Sequence, residues 1–258
     1  MEIFEPFRRI GRGASAVAAA AGRGAAFAGS VARAGRDVRT WLPLAAGQAR
    51  KIGVDSLPLV VFIAAFTGIV LALQSSYAFT GLVPMYFVGT LVGKSVILEL
   101  GPVLTGLVLA GRVGANIAAE IGTMRVTEQI DALEMLAYDP LAYLAVPRVA
   151  AATVMFPLVV AVAIAMGIAA GWLTSLVLLD LSSQEFVRGL RSFHRPFDVT
   201  FALVKSASFG AVVAGVGAFF GYRTRGGAEG VGRSTTRAVV MACMLILLLD
   251  AFWAVTLL

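Results

Sequence analysis

A long stretch without any charge constrains the fold of this chain more than any other feature. No Asp, Glu, Lys or Arg occurs from Ser56 to Gly93, and a helix needs only about 20 apolar residues to cross a bilayer. A second run without charge covers residues 149–179. The whole chain is 59% hydrophobic and 14% charged, whereas soluble domains are roughly half apolar and a quarter charged. The sequence therefore predicts an all-α, polytopic membrane protein.

Five apolar segments are long enough to cross a membrane. We predict spans at about residues 54–79, 88–115, 149–179, 199–222 and 238–258, separated by polar stretches that include residues 180–198 and a short loop at 222–237. Residues 1–51 carry nine of the 21 Lys and Arg residues. Because basic segments stay on the cytoplasmic side, we expect a cytoplasmic N-terminus.

The basic N-terminal segment, residues 1–51, contains an amphipathic pattern. On a helix its apolar side chains lie within 60° of one direction, with three arginines opposite: Phe27, Val31, Val38, Trp41 and Leu42 against Arg33, Arg36 and Arg39. This pattern predicts one interfacial helix on the cytoplasmic leaflet. A soluble helix packed on a partner is the alternative.

A shorter amphipathic helix is predicted at about 127–137, between the second and third spans. Val126, Ile130, Leu133, Leu136 and Ala137 fall on one side, and Glu128, Asp131, Glu134 and Met135 on the other. Thr127 is the predicted N-cap, and Asp139-Pro140 the predicted end. Because the cytoplasmic leaflet is negative, an acidic face favours docking of a protein over a connector lying on lipid headgroups.

Three charges lie inside the predicted spans and away from the span ends, where a charge is costly and tends to mark function. Counting 1.5 Å per residue places Glu99, Lys205 and Asp250 in the outer half of the membrane, with Gln74 and Tyr77 at similar height. We predict that these five residues form a polar cluster lining a lipid cavity. An ion-pair network that only stabilises the bundle is the alternative. Two further charges lie nearer the span ends, and we expect both to extend to the water: Lys94 and Arg112.

Other kinds of site are poorly supported. Residues 89–95 read GTLVGKS, but a phosphate-binding loop needs a glycine at position 88, which is Val88. The single histidine, His194, and the single cysteine, Cys243, leave no metal cluster and no internal disulfide. The basic excess is concentrated near the N-terminus, so nucleic acid is not an expected ligand. We predict no catalytic residue, no metal and no cofactor in this chain.

Residues 99–133, ELGPVLTGLVLAGRVGANIAAEIGTMRVTEQIDAL, and residues 139–148, DPLAYLAVPR, resemble the core of the MlaE/YrbE permease family. Its members are membrane subunits of ATP-driven lipid transporters. The resemblance is long and ordered and covers most of residues 50–258. It implies a permease domain at residues 52–258 and a transport subunit that is not itself an enzyme.

The resemblance also implies partners and a location. It implies a homodimer in a bacterial inner membrane, two ABC ATPase subunits that bind ATP and Mg, a periplasmic MCE-domain protein and, commonly, a STAS-domain protein. Phospholipid would be the cargo, and outer-membrane lipid asymmetry the purpose. The helix at 127–137 would be the coupling helix seated in the ATPase, with seven residues in that role: Thr127, Glu128, Ile130, Asp131, Leu133, Glu134 and Leu136.

Two other functions compete with this interpretation. An ion-coupled secondary carrier would use Glu99 and Asp250 as ion sites, but carriers often contain inverted repeats, and we find no repeat. An intramembrane lipid-modifying enzyme would need a nucleophile, an acid–base pair or a metal, and the spans offer only carboxylates and a lysine.

Overall fold

The computed structural model describes residues 5–79, 83–192 and 195–257, and this part of the chain is helical without any strand. His194 lies outside the described residues. The helices are α1 Glu5–Ala34, α2 Val38–Ile52, α3 Leu57–Ala78, α4 Phe87–Ser95, α5 Gly101–Leu109, α6 Ala115–Val126, α7 Gln129–Met135, α8 Val146–Leu178, α9 Ser183–Ser192, α10 Pro196–Tyr222 and α11 Gly227–Leu257. Three π-helical turns connect or precede these helices, at Val96–Leu100, Ala110–Gly114 and Leu141–Ala145.

Within the described residues, five helical units are long and apolar enough to span a membrane, which confirms the predicted number. They are Val38–Ala78, Phe87–Val126, Leu141–Leu178, Pro196–Tyr222 and Gly227–Thr256. Successive units run in opposite directions, so one end of the bundle carries α7 and the other carries α9. We refer to these as the α7 end and the α9 end.

Two predicted loops are partly helical. The predicted loop at 222–237 is wrong, because α11 already begins at Gly227 and continues without interruption into the fifth span. Hydropathy identifies only the apolar part of a helix, so it does not detect the polar turns with which α11 begins. In the polar stretch 180–198, α9 occupies Ser183–Ser192.

A capping box starts α9. The Glu185 backbone N–H donates to Ser182 Oγ at 3.2 Å, and the Ser182 backbone N–H donates to Glu185 Oε2 at 3.1 Å. This is the Ser-x-x-Glu arrangement that begins many helices. The hydrogen bonds from the Ser182 hydroxyl and backbone lower the pKa of the Glu185 carboxyl. The signal was present in the sequence as Ser182-Ser183-Gln184-Glu185.

The N-terminal helix is interrupted, contrary to the prediction of one continuous helix through Phe27 and Leu42. α1 ends at Ala34 and α2 begins at Val38, and the Trp41 indole donates to Gly35 O at 2.9 Å across the break. Phe27 packs on Phe219 and Tyr222 of α10, with ring centroids 5.5 and 5.9 Å apart. The first half of the predicted apolar face therefore contacts protein, whereas Val38 and Leu42 are exposed.

The bundle is held together by close helix contacts around α8, which packs against α3 and α10. Phe156 of α8 and Phe209 of α10 are fully buried in the same core as Ile246 of α11. Small residues allow these helices to approach closely, as is common in membrane bundles. A Cβ atom at Gly210 would collide with the Ala152 backbone, whereas one at Gly215, on the same helix, would meet nothing.

This difference gives a stability test within α10. Gly210→Ala should destabilise the purified protein by about 1–3 kcal/mol, the usual cost of overpacking a close contact. Gly215→Ala is the matched control and should leave the melting temperature unchanged or slightly raised, because alanine favours helix. Thermal unfolding in detergent measures both. Equal melting temperatures for the two variants would contradict the close α8–α10 contact.

Candidate functional site

The three charged residues predicted inside the spans meet in the structure. Lys205 of α10 is completely buried. Its ammonium donates to Glu99 Oε2 at 3.0 Å and to Leu98 O at 3.1 Å, and it also contacts Asp250 Oδ1 of α11. We refer to Glu99, Lys205 and Asp250 as the ion cluster. It links the second, fourth and fifth spans.

The two carboxylates differ in exposure. The Glu99 side chain is 47% exposed and the Asp250 side chain 21% exposed. Glu99 lies on the π-helical turn Val96–Leu100, and such turns are frequent at functional sites. The ion cluster is thus inaccessible from outside at Lys205 and accessible at Glu99.

Charge balance explains why Lys205 is tolerated in the bundle. Burying an ammonium costs several kcal/mol unless acceptors replace its water. An ammonium has three N–H donors, and Lys205 has three oxygens around it. The Asp250 contact is an ion pair without an aligned hydrogen bond on the buried Oδ1. One cation between two carboxylates leaves a formal charge of about −1 on the cluster.

A hydrogen-bond chain extends the cluster along α10 and α11. Ser208 Oγ donates to Lys205 O at 2.6 Å, and the Trp253 indole donates to Ser208 Oγ at 3.1 Å. Trp253 also meets Phe201 edge-on at 5.7 Å. These residues escaped the sequence analysis, because Ser and Trp are common in membrane helices and carry no charge to mark them.

The other two predicted cluster residues lie apart from the charges. Gln74 lines a groove of about 400 Å³ on the exposed side of α3, and Leu100, which follows Glu99, lines the same groove. The remaining lining residues are Phe62, Ile63, Phe66, Thr67, Val70 and Leu71. We refer to this as the α3 groove. The Tyr77 side chain is 86% exposed and faces away from the bundle.

Lys94 and Arg112, which we expect to extend to the water, are partly exposed and also bind neighbouring helices. Lys94 pairs with Asp198 of α10 at 3.3 Å. Arg112, on the π-helical turn Ala110–Gly114, donates to the Ser56 hydroxyl. Each cation binds a partner on a neighbouring helix, because an unpaired charge near the apolar core is energetically costly.

α7 is shorter than predicted, at Gln129–Met135. The predicted N-cap is wrong: the Thr127 hydroxyl donates to Thr123 O at 2.8 Å and so belongs to the end of α6. Glu128, with φ of 60°, turns the chain between the two helices. The physical reason is that α6 continues to Val126, so the hydroxyl of Thr127 finds a carbonyl one turn back.

One side of α7 is anchored and the other is exposed. Ile130 is 1% exposed, Leu133 packs against the core, and Asp131 pairs with Arg125 of α6 at 2.6 Å. Met135 and Leu136 are 88% and 69% exposed. The helical wheel placed Leu136 with the buried residues, but α7 ends before it. Glu128 and Glu134 are also exposed, so the outward surface combines acidic and apolar groups.

A second ionic network at the α7 end was missed from the sequence. Glu120 of α6 accepts from Arg148 of α8 at 2.9 Å and lies 3.4 Å from the Lys51 ammonium of α2. Arg148 is 6% exposed and also donates to Leu144 O. Nearby, the Tyr222 hydroxyl donates to Pro140 O at 2.5 Å. These contacts join α2, α6, α8 and α10 beside α7.

The phosphate-loop-like residues 89–95 lie within α4, with Gly89 packed against Phe186 of α9. They form a helix in a candidate span and not a loop before a helix. Among residues 5–79, 83–192 and 195–257, no three potential metal ligands come together.

Comparison with known proteins agrees with this architecture. The family described as Permease MlaE matches residues 45–256. This chain belongs to the MlaE permease family. The match includes all three residues of the ion cluster and the whole of α7.

Named relatives of this MlaE-family permease occur in bacteria and in a plant. A probable ABC transporter permease of Rickettsia prowazekii is 44% identical over 208 residues, 81% of this chain and 80% of that protein. The intermembrane phospholipid transport system permease MlaE of Haemophilus influenzae is 35% identical over 214 residues, 83% and 82% of the two chains. The chloroplastic protein TRIGALACTOSYLDIACYLGLYCEROL 1 of Arabidopsis thaliana is 36% identical over 203 residues, 79% of this chain and 58% of that one.

The ion cluster generates a stability prediction. Lys205→Met should destabilise the permease by on the order of 3 kcal/mol, because it leaves two neighbouring carboxylates without their cation. The triple variant Lys205→Met, Glu99→Gln, Asp250→Asn should recover part of the loss. Thermal unfolding in detergent is the measurement. Lys51→Met is the control, since its exposed pair with Glu120 is worth at most about 1 kcal/mol. Equal losses for the two single variants would rule out a special role for the buried pair.

Proposed function

We propose that this chain is the transmembrane permease subunit of an ATP-driven transporter. It moves phospholipid between the bacterial inner membrane and a periplasmic MCE-domain partner, and so helps to maintain outer-membrane lipid asymmetry. The single observation that supports this function most is the buried ion cluster, which opens at Glu99 beside the apolar α3 groove. Membership of the MlaE family and the name of the Haemophilus relative support the choice of phospholipid.

The α3 groove and the ion cluster suit the two parts of a phospholipid. Phe62, Phe66 and Val70 offer an apolar wall for acyl chains, and Gln74 adds a polar group further along the same helix. Glu99 presents a half-exposed carboxylate next to the groove, where it would meet the headgroup region. A groove open on one side holds a lipid only if something covers it.

A second copy of this chain is the proposed cover. The α3 groove is shallow and lies on an apolar outer face, so two copies with their grooves facing each other would enclose a larger apolar cavity. Apolar side chains are exposed on several other faces as well, including Leu158 of α8 and Leu248 of α11, and these suit contact with the surrounding membrane.

The outward surface of α7 is the proposed seat of the ATPase. With the basic N-terminal segment on the cytoplasmic side, the α7 end lies in the cytoplasm and α9 faces the periplasm. The exposed members of the seven residues assigned to coupling would then contact an ATPase that binds ATP and Mg, with a STAS-domain protein as a further partner, whereas Ile130 and Leu133 would hold α7 in place from its inner side. Asp131 and Ile130 hold α7 to α6 and the core, so force on α7 would pass into the second span.

The coupling role can be tested at the exposed end of α7. Met135→Glu and Leu136→Glu should each reduce copurification of the ATPase and slow ATP-dependent lipid movement severalfold. Each places a charge where an exposed apolar side chain would contact the ATPase. Ala228→Glu adds the same charge to the exposed first turn of α11, at the same end of the bundle, and serves as the control. Normal ATPase binding and full transport in the α7 variants would refute the assignment.

The lipid site can be tested by filling the α3 groove. Val70→Trp should reduce the phospholipid that copurifies with the complex severalfold, because the indole would occupy the space of an acyl chain. Val177→Trp places the same group on an exposed position of α8 outside the groove and should leave lipid binding unchanged. Transport in proteoliposomes should require ATP and persist without an ion gradient. Transport driven by an ion gradient alone would instead indicate a secondary carrier.

A further inference from the structure

We propose that Pro102 is a positioning residue for the ion cluster, because it withholds the backbone N–H that would otherwise occupy Leu98 O. Leu98 O is one of the three oxygens around the Lys205 ammonium, at 3.1 Å. The consequence for lipid binding rests on the proposed function, whereas the positioning itself does not.

Helix geometry identifies the missing donor. In an α-helix the N–H of residue i bonds to the carbonyl of residue i−4, so residue 102 is the α-helical donor for Leu98 O. Proline has no N–H. Just before it, the Gly101 N–H bonds to Val96 O in the π-helical pattern. α5 begins at Gly101, so an α-helical N–H at residue 102 would return to Leu98 O, and proline supplies none. Leu98 O accepts instead from Lys205 of another span.

Lys205 fills that position. Its ammonium donates to Leu98 O and Glu99 Oε2 and forms an ion pair with Asp250 Oδ1, and the side chain is completely buried. Two of the three acceptors come from consecutive residues of one π-helical turn, so they move together. An N–H at position 102 would compete for Leu98 O and leave one buried ammonium donor with a poorer partner.

The arrangement also sets where Glu99 points. The ammonium is held between a backbone carbonyl that cannot rotate and the Asp250 carboxylate on α11. Glu99 meets the ammonium through Oε2 and keeps nearly half of its side chain exposed. Pro102 therefore acts on the half-exposed carboxylate through Leu98 O and Lys205, without touching a ligand itself.

A double-mutant cycle tests this chain of contacts. Pro102→Ala in the otherwise native complex should lower the melting temperature by about 2–4 °C, the shift expected from losing one hydrogen bond in a chain of this size. In the Lys205→Met background Leu98 O has lost the ammonium, so the restored N–H should leave the melting temperature unchanged or raise it. The same decrease in both backgrounds would overturn the proposal.

A backbone ester separates the missing N–H from the proline ring. Lactic acid at position 102, introduced by nonsense suppression, has the alanine side chain but no N–H. It should preserve the melting temperature better than Pro102→Ala does, and equal losses for the two would overturn the proposal. Pro157→Ala, in the middle of α8, controls for loss of any intrahelical proline and should show no coupling to Lys205→Met.

Copurified phospholipid provides the separate readout for function. Pro102→Ala should lower it severalfold in native Lys205 complexes, and the lactic acid variant should retain it. If the thermal cycle shows coupling while lipid content is unchanged in both Pro102→Ala and Lys205→Met, the positioning stands and the lipid role of the ion cluster falls.

Discussion

The buried ammonium of Lys205 is the interaction on which the membrane part of this permease depends. A cation without water needs oxygens on several sides, and here they come from the second and fifth spans. The requirement fixes how α10 sits against its neighbours more tightly than apolar contacts could, since lipid is as apolar as the helix surfaces. It also brings a half-exposed carboxylate to the edge of the α3 groove.

The same helices are also joined by ion pairs and a hydrogen bond at the α7 end of the bundle. The second span carries Glu99 in its first half and ends next to α7, where Arg125 pairs with Asp131, and Glu120 and Arg148 tie α6 to α8. α10 runs from its capping Asp198 through Lys205 to Tyr222, whose hydroxyl reaches Pro140. These contacts connect α7 to the helices that carry the ion cluster, which suits the ATP-driven mechanism that we propose.

The sequence predicts structure correctly where an energetic cost can be recognised from residue order alone. Charges within apolar runs are expensive, so Glu99, Lys205 and Asp250 could be selected from the sequence, with a lipid-lining polar cluster and a stabilising ion-pair network as the two alternatives. It failed where the cost depends on local hydrogen bonding: Thr127 joins α6 and does not cap α7, and α11 starts at Gly227, well before its apolar part. Glu120 and Arg148 escaped because they lie at span ends, where charges are ordinary.

The sequence by itself determined an all-α membrane protein with five spans, because apolar length and charge placement alone decide what crosses a bilayer. It also marked Glu99, Lys205 and Asp250 as charges that need partners within the bundle. Only the tertiary structure decided that Tyr77 faces outward while Gln74 lines a groove, and that Leu98 O joins the ion cluster. Those outcomes depend on which helix faces lie together, and that cannot be read from the spacing of residues along one helix.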